Sequence, residues 1–223
     1  MFMETLPTPR AHHIKLILFD FEASPNSRKV RITLAEKGLE YERQNVDIAK
    51  GEQRSTKYLT INPHGRIPSI QHHLRQPDGQ ISVHNIYDST IINEYLEESF
   101  PDPPLFPRAP CERANARILE DWADNLLIEP VGVLFAQYVF TSESRRNQVK
   151  IDQARMRVIE LLARLEERLE DRRPYLLNDY SVADIAMTPH LAYAEQFGVP
   201  ITELTPRVAE WYTRLKNRPS FHA

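Results

Sequence analysis

The sequence predicts a small α/β domain with a mixed sheet, followed by an all-helical domain. Strand and helix signals alternate up to about residue 100 of the 223-residue chain, whereas helical periodicity alone follows. Between these halves, five of the 17 prolines fall in residues 101–110, which we interpret as a linker. The predicted organisation is a flexible extension over residues 1–13, an α/β domain over 14–100, this linker, and a helical domain over 111–223.

The first domain is predicted from short apolar runs and from its turn residues. Ile14–Phe19 is an apolar run typical of a buried strand, and Gly38 is placed to end the helix that follows it. Asp78 and Gly79 form a turn signal between two further strands. The predicted strands cover residues 14–19, 40–47, 67–72 and 80–84, and the predicted helices cover 28–37, 55–60 and 89–99.

The second domain is predicted from apolar stripes that repeat with helical spacing. Pro130 is a candidate kink in its first helix, and Ser181 and Asp184 have the spacing of a capping box. The predicted helices cover residues 112–138, 148–172, 182–197 and 206–217, with a turn at 203–204.

Composition narrows the class of protein. The formal net charge of -3 comes without a basic face for nucleic acid, and no window reaches the ~20 apolar residues of a membrane span. Cys111 is the only cysteine, which rules out an intrachain disulfide and is typical of the cytoplasm. The pairs His12-His13 and His72-His73 lack acidic or cysteine partners at ligand spacing, so we predict no metal site.

A hydroxyl group stands at the turn between the first strand and the first helix, in the segment Ser24-Pro25-Asn26-Ser27. Backbone N–H groups and the helix dipole favour an anion at this end of a helix. The two serines replace the cysteines that a thiol-disulfide redox centre needs. From the residues alone, Ser24 is either a hydroxyl that holds an anion or an ordinary helix cap.

Two further segments offer groups that a ligand could contact. Pro68 opens a predicted strand, and one explanation is a cis Ile67–Pro68 bond. Asp88 and Ser89 precede a predicted helix, where they are either caps or a second anion site in which Asp88 pairs with an ammonium group.

Four segments, taken in order, resemble cytosolic glutathione transferases: SPNSRKVR at residues 24–31, NPHGRIP at 62–68, YDSTIINEYL at 87–96 and YSVADIA at 180–186. The resemblance covers nearly the whole chain from Ile14 onward. It implies a thioredoxin-like domain that binds glutathione as co-substrate, and a helical bundle that carries the electrophile site. It also implies a homodimer, without metal, nucleic acid or membrane.

The resemblance assigns a role to each matching residue. Ser24 takes the position of the catalytic group, and Pro68 that of the cis-proline beside Ile67, whose backbone meets the cysteinyl part of glutathione. Asp88 and Ser89 match the pair that holds the γ-glutamyl group, although the family more often has glutamate at the first position. The remaining glutathione contacts that the resemblance implies are Gln53, Arg54 and Arg66.

The expected chemistry is stabilisation of a thiolate. Lowering the thiol pKa by ~2 units requires ~2.7 kcal/mol, which a hydrogen bond to the anion (~1.5–3) and a helix dipole (~0.3–1) supply together. We expect Trp122, Phe135 and Tyr138, with Phe140, either to line an apolar cleft for the electrophile or to belong to the helical core.

The leading hypothesis from the sequence is a serine-type glutathione transferase that conjugates small hydrophobic electrophiles in detoxification or stress response. A specialised relative that catalyses glutathione-dependent isomerisation, dehalogenation or ether cleavage remains open. So does a protein with this fold that binds glutathione or a protein partner without turnover, since the fold alone does not fix the function.

Overall fold

The computed structural model describes residues 12–201 and 205–223, and it divides the chain into two compact units. Of the described residues, the first unit contains 12–30 and 38–95, and the second contains 31–37, 96–201 and 205–223. The division therefore falls at residue 95, and the predicted linker over 101–110 lies inside the second unit.

The first unit contains a four-stranded mixed sheet with the order β2-β1-β3-β4. Strands β1 and β2 are parallel, whereas β3 is antiparallel to both β1 and β4. The strands are β1 His12–Asp20, β2 Glu42–Asn45, β3 Ser69–Arg75 and β4 Ile81–Tyr87. This confirms the predicted sheet, but β1 begins at His12, inside the predicted extension.

Three helices belong to the same region of the chain: α1 Pro25–Glu36, α2 Thr56–Leu59 and α3 Ser89–Ser99. Helix α1 begins three residues before its predicted start because proline, with its fixed φ and missing N–H, fits the first position of a helix. Strand β3 begins at Ser69, directly after Pro68, because proline has no N–H to donate to a ladder.

The second unit is helical, as predicted. Its helices are α4 Pro110–Trp122, α5 Ile128–Val139, α6 Gln148–Arg168, α7 Val182–Gln196 and α8 Pro206–Lys216. The helix predicted over 112–138 is observed without a gap, but a π-helical segment, Ala123–Leu127, divides it into α4 and α5. This segment comes directly before the turn that contains Pro130, where the missing N–H interrupts the regular bonding pattern.

The start of α7 confirms the predicted capping box of Ser181 and Asp184. Asp184 is completely buried and accepts hydrogen bonds from the Leu176 N–H at 3.0 Å and from Trp211 Nε1 at 2.8 Å. It thus joins α7 to a preceding loop and to α8. The turn predicted at 203–204 lies outside the described residues. Among the helices of residues 12–201 and 205–223, none is long and apolar enough to cross a membrane.

The segment after α8 is held by Glu36, the last residue of α1. Its carboxylate accepts hydrogen bonds from Arg218 Nε at 2.7 Å and Nη2 at 2.6 Å, and from the Ser220 hydroxyl. Burial alone would raise the pKa of Glu36, but the bonds from Arg218 and Ser220 outweigh it, so the pKa lies below its ordinary value of 4.5.

Replacing Glu36 with glutamine should lower the free energy of unfolding by about 2 kcal/mol at pH 7, because a two-pronged charge-assisted pair is lost. A carboxylate with a lowered folded-state pKa stabilises the protein above its unfolded pKa of 4.5 and loses this effect as the pH falls through the folded value. The difference between wild type and Glu36→Gln should therefore shrink between about pH 5 and pH 3 in urea denaturation.

The exposed Glu40 provides the matched control, since Glu40→Gln should change stability by less than about 0.5 kcal/mol at either pH. If the difference in unfolding free energy between wild type and Glu36→Gln stays constant down to pH 3, the charge of Glu36 does not stabilise the protein as proposed.

Candidate glutathione site

The register of the sheet brings the last residues of β1 and β4 and the first residue of β3 together at one end of the sheet. Phe19 near the end of β1 lies opposite Ser69 at the start of β3, and Ser69 lies opposite Tyr87 at the end of β4. The segments that contain Ser24, Ile67 and Asp88 adjoin the strands at this end of the sheet. The structure thus collects the three predicted ligand segments within one unit.

Ser24 caps helix α1. Its Oγ accepts a hydrogen bond from the Ser27 N–H at 3.2 Å, and its carbonyl accepts one from the Arg28 N–H at 2.9 Å. The side chain is half-buried. Because the cap uses a lone pair of Oγ, the hydroxyl proton stays available for donation to an anion. Capping and anion binding are therefore compatible at this residue.

The Ile67–Pro68 peptide bond is cis, as the sequence suggested. The loop before it is fixed through the Arg66 carbonyl, which accepts bonds from the Tyr58 hydroxyl and from Asn62 Nδ2, both at 2.7 Å. The Tyr58 hydroxyl also lies 2.9 Å from Ser69 Oγ. Burial raises the pKa of Tyr58, which keeps its phenol protonated and able to donate. Sequence analysis did not identify Tyr58 or Asn62.

Gly65 lets this loop approach the segment with Gln53 and Arg54. Its φ is +60°, and a Cβ atom at this position would lie 3.1 Å from the Gln53 carbonyl oxygen. The side-chain Oε1 of Gln53 is buried and has no hydrogen-bond partner among the described residues. Arg54 and Arg66 are exposed. Gln53, Arg54 and Arg66 therefore lie in adjoining segments, as the sequence suggested for ligand contacts.

Asp88 caps helix α3 in a strained conformation. Its φ is +76°, a value that is costly for a residue other than glycine, and its Oδ1 accepts hydrogen bonds from the N–H groups of Thr90 at 3.0 Å and Ile91 at 3.4 Å. Asp88 is exposed on the wall of a cavity of about 640 Å³, whereas Ser89 is buried. The cap uses Oδ1, so a charged carboxylate still faces the cavity.

Helices α1 and α3 are joined near these caps. The side chain of Lys29 is almost completely buried, and its Nζ donates a hydrogen bond to Thr90 Oγ1 at 3.0 Å. Lys29 follows Ser24 by little more than one turn, and Thr90 follows Ser89. The bond therefore connects the segments that carry Ser24 and Asp88, a connection that the sequence did not reveal.

The aromatic candidates lie in the second unit. Phe135 and Tyr138 are half-buried and contact Phe197 with ring centroids 6.2 Å and 5.1 Å away, and Trp122 packs against the same core. Arg155 donates to the Tyr138 hydroxyl at 2.8 Å, whereas Phe140 is 58% exposed. Phe135 and Tyr138 thus share one aromatic cluster, part of which serves the helical core.

The histidine pairs lie toward the other end of the sheet. Strands β1 and β3 bring His13 Nδ1 within 2.8 Å of His72 Nε2, although the sequence suggested no nearby partners. Burial, followed by the charges of His13 and His84, lowers the pKa of His72 to about 4. Within residues 12–201 and 205–223, no group of three or more histidine, cysteine or acidic side chains is arranged to hold a metal ion.

Replacing Gly65 with alanine should lower the free energy of unfolding by more than the same change at Gly79. Both glycines have positive φ, at +60° and +84°, so each alanine costs about 1–2 kcal/mol of backbone strain. Only at Gly65 does the new Cβ meet a backbone oxygen, since nothing lies within 4 Å at Gly79. Equal losses in urea denaturation would show that the close approach to Gln53 is unimportant.

Two protein-family models match this chain. The model "Glutathione S-transferase, N-terminal domain" matches residues 23–99, and the model "Glutathione S-transferase, C-terminal domain" matches residues 148–214. The first match includes the predicted site residues from Ser24 to Ser89.

Proteins with the same domain organisation are similar over almost the whole chain. Protein LigF from Sphingobium sp. strain SYK-6 is 30% identical over 246 residues, covering 92% of this chain and 91% of LigF. The crystal structure of this protein, the beta-etherase LigF, matches with a TM-score of 0.74 and 28% identity. The match covers 94% of this chain and 98% of LigF.

Maleylacetoacetate isomerase from Pseudomonas aeruginosa is 30% identical over 212 residues, which is 92% of each chain. The theta class glutathione S-transferase from Xanthomonas axonopodis pv. citri, solved with glutathione bound, has a TM-score of 0.79. It is 28% identical, and the match covers 93% of this chain and 95% of that protein.

Proposed function

Because this chain belongs to the glutathione S-transferase family, we propose that Ser24 holds glutathione as a thiolate for transfer to a small hydrophobic electrophile. The observation that carries this assignment is the geometry of Ser24. Its Oγ caps α1 through a lone pair and keeps its proton at the positive end of the helix.

At the sulfur, the serine acts as a hydrogen-bond donor and not as a nucleophile. The thiolate attacks the electrophilic carbon, and the leaving group departs with its electron pair or, in an addition, the acceptor atom takes up a proton. The Ser27 N–H that donates to Ser24 Oγ polarises the hydroxyl and strengthens its own donation. Glutathione is the co-substrate, and no metal takes part in this scheme.

At the γ-glutamyl end, Asp88 pairs with the ammonium group and the N-terminal residues of α3 bind the carboxylate. The Asp88 carboxylate faces a cavity, and Ser89 begins the helix whose N–H groups attract an anion. The Ile67 backbone bonds to the cysteinyl part. Gln53, Arg54 and Arg66 bind the glycyl carboxylate, in keeping with the two exposed guanidinium groups of Arg54 and Arg66.

The electrophile contacts belong to Trp122, Phe135 and Tyr138, which are only partly buried in the aromatic region of the second unit. A specialised reaction is the second candidate, because two similar proteins are named a beta-etherase and a maleylacetoacetate isomerase. Both chemistries would use the same activated glutathione sulfur. Assays of one preparation with aryl halides, aryl ethers and cis-enedioic acids therefore distinguish conjugation, ether cleavage and isomerisation.

The same proposal includes a cytoplasmic homodimer with a role in detoxification or stress response. The first unit exposes Ile81 and Val83 on one face of β4, and Ile91 on α3, at 57%, 48% and 56%. These side chains provide apolar surface for a second copy, and sedimentation velocity tests the assembly. The exposed free thiol of Cys111 is in keeping with a reducing compartment.

Removing the Ser24 hydroxyl should raise the pKa of the bound glutathione thiol by about 1–2 units. A hydrogen bond to a charged group contributes about 1.5–3 kcal/mol, and one pKa unit corresponds to about 1.4 kcal/mol. Ser24→Ala should bind to immobilised glutathione but turn over an aryl halide at least about tenfold more slowly at pH 6.5. The pH profile of kcat/KM and the ultraviolet absorbance of the thiolate measure the pKa.

Two matched variants separate this effect from helix capping. Ser24→Gly keeps most of the capping energy yet lacks the hydroxyl, so it should show the same pKa as Ser24→Ala. Ser27→Ala removes a buried hydroxyl of the same turn, which has no partner among the described residues, and should leave the thiol pKa unchanged. An unchanged pKa in both Ser24 variants would exclude the thiolate role.

Replacing Asp88 with asparagine should weaken glutathione binding about tenfold without loss of stability, because asparagine caps a helix as well as aspartate does. N-acetylglutathione, which lacks the ammonium charge, should bind equally weakly to wild type and to Asp88→Asn. Calorimetric titration of both ligands into both proteins measures the coupling free energy between the Asp88 carboxylate and the ammonium group of glutathione. If Asp88→Asn weakens the binding of glutathione and N-acetylglutathione by the same factor, Asp88 acts as a helix cap alone.

A further inference from the structure

A second cavity lies entirely within the helical unit and shares no residue with the glutathione site. Its volume is about 740 Å³, which falls within the range of ~300–1,000 Å³ typical of small-molecule sites. Residues 104–108, the first turns of α4, the end of α6 and residues 177–181 form its walls.

One wall is apolar and fixed by its backbone. Leu105 and Phe106 are almost completely buried, and their N–H groups donate to the Glu97 carboxylate at 3.0 Å and 3.3 Å. The Leu105 carbonyl accepts a bond from the Val182 N–H at 2.9 Å. Lys37 pairs with Glu97 at 2.8 Å, so the carboxylate is itself held in place. A wall bonded in this way needs little ordering when a ligand binds.

The other walls carry charges of both signs. Arg108 and Arg168 provide two guanidinium groups, and Glu112 and Asp179 provide two carboxylates. Within the described part of the chain none of these four groups forms a hydrogen bond or an ion pair within 4.0 Å. Opposite charges therefore line one cavity without neutralising each other.

A third guanidinium group in the lining behaves differently. Arg173 is paired with Asp171, with Nε 2.9 Å from both carboxylate oxygens. Burial, followed by the positive charge of Arg173, lowers the pKa of Arg168. Arg168 is exposed at the cavity and pairs with no carboxylate among the described residues, so its guanidinium group is open to a ligand carboxylate.

We propose that this cavity binds a short zwitterionic peptide with a large apolar side chain. The peptide carboxylate bonds to the guanidinium fork of Arg168, and its ammonium group lies against Glu112 or Asp179. The apolar side chain packs on Pro104, Pro107 and Leu177, which are the accessible apolar residues of the lining. The two charged termini of a peptide match a lining that carries both signs of charge.

Calorimetric titration with three forms of leucylphenylalanine tests the charge requirement. The free dipeptide is a zwitterion, its N-acetyl form is an anion and its C-terminal amide is a cation. The free dipeptide should bind at least about tenfold more tightly than either blocked form, since each blocked form lacks one charged contact. Equal binding of the N-acetyl form or of the amide, or no binding of the free dipeptide, would overturn the proposal.

Variants locate the ligand. Arg168→Gln should weaken dipeptide binding about tenfold, because a charged hydrogen bond is lost, whereas Arg164→Gln, one turn earlier on α6 and outside the cavity, should have no effect. Retention on immobilised glutathione should be the same for both variants and wild type, which confirms that each is folded. Unchanged dipeptide binding by Arg168→Gln would place the dipeptide elsewhere and refute the second site.

Discussion

The pairing of one buried residue, Ser69, fixes the strands and the loop that form the candidate glutathione site. It lies opposite Phe19 and Tyr87, and its hydroxyl contacts Tyr58, which in turn bonds to the Arg66 carbonyl. A shift of one residue in the register of β1 with β3, or of β3 with β4, would move the adjoining loop by about 3.3 Å. It would also turn every side chain of the shifted strand to the opposite face of the sheet. That distance exceeds a hydrogen bond, so the three ligand segments keep their spacing only in this register.

Helix capping at Ser24 and Asp88 leaves free the atoms that the proposed ligand contacts use. Ser24 caps α1 with a lone pair and keeps its proton, and Asp88 caps α3 with one oxygen and keeps its charge. The capping bonds fix both side chains before a ligand arrives, which reduces the entropy lost on binding. The positive φ of Asp88 fits this role, because strained residues persist where the surrounding structure fixes them.

The sequence predicted the types of most elements, because the apolar patterns and turn residues are local. The resemblance carried by contiguous motifs also predicted the cis bond before Pro68, which the structure confirms, and Ser24 and Asp88 as site residues, which stays a prediction. The sequence did not reveal the bond of Lys29 to Thr90 or the contact of His13 with His72, which depend on pairing between distant segments. The π-helical interruption before α5 was missed for a different reason: helical spacing continues across it, so periodicity alone gives no signal.

If the proposed electrophile site is correct, the contacts of its aromatic cluster limit which substitutions can change electrophile preference. Tyr138 stacks on Phe197 and accepts a bond from Arg155, whose guanidinium group also donates to the Phe197 carbonyl. A substitution at Tyr138 would therefore disturb packing and leave a polar group unpaired, at a cost of about 1–3 kcal/mol. Phe140 is exposed at the end of the same cluster, 5.5 Å from the Phe135 ring, and carries no such bond. Changes in specificity are thus less costly at Phe140 than at Tyr138, even where both rings touch the electrophile.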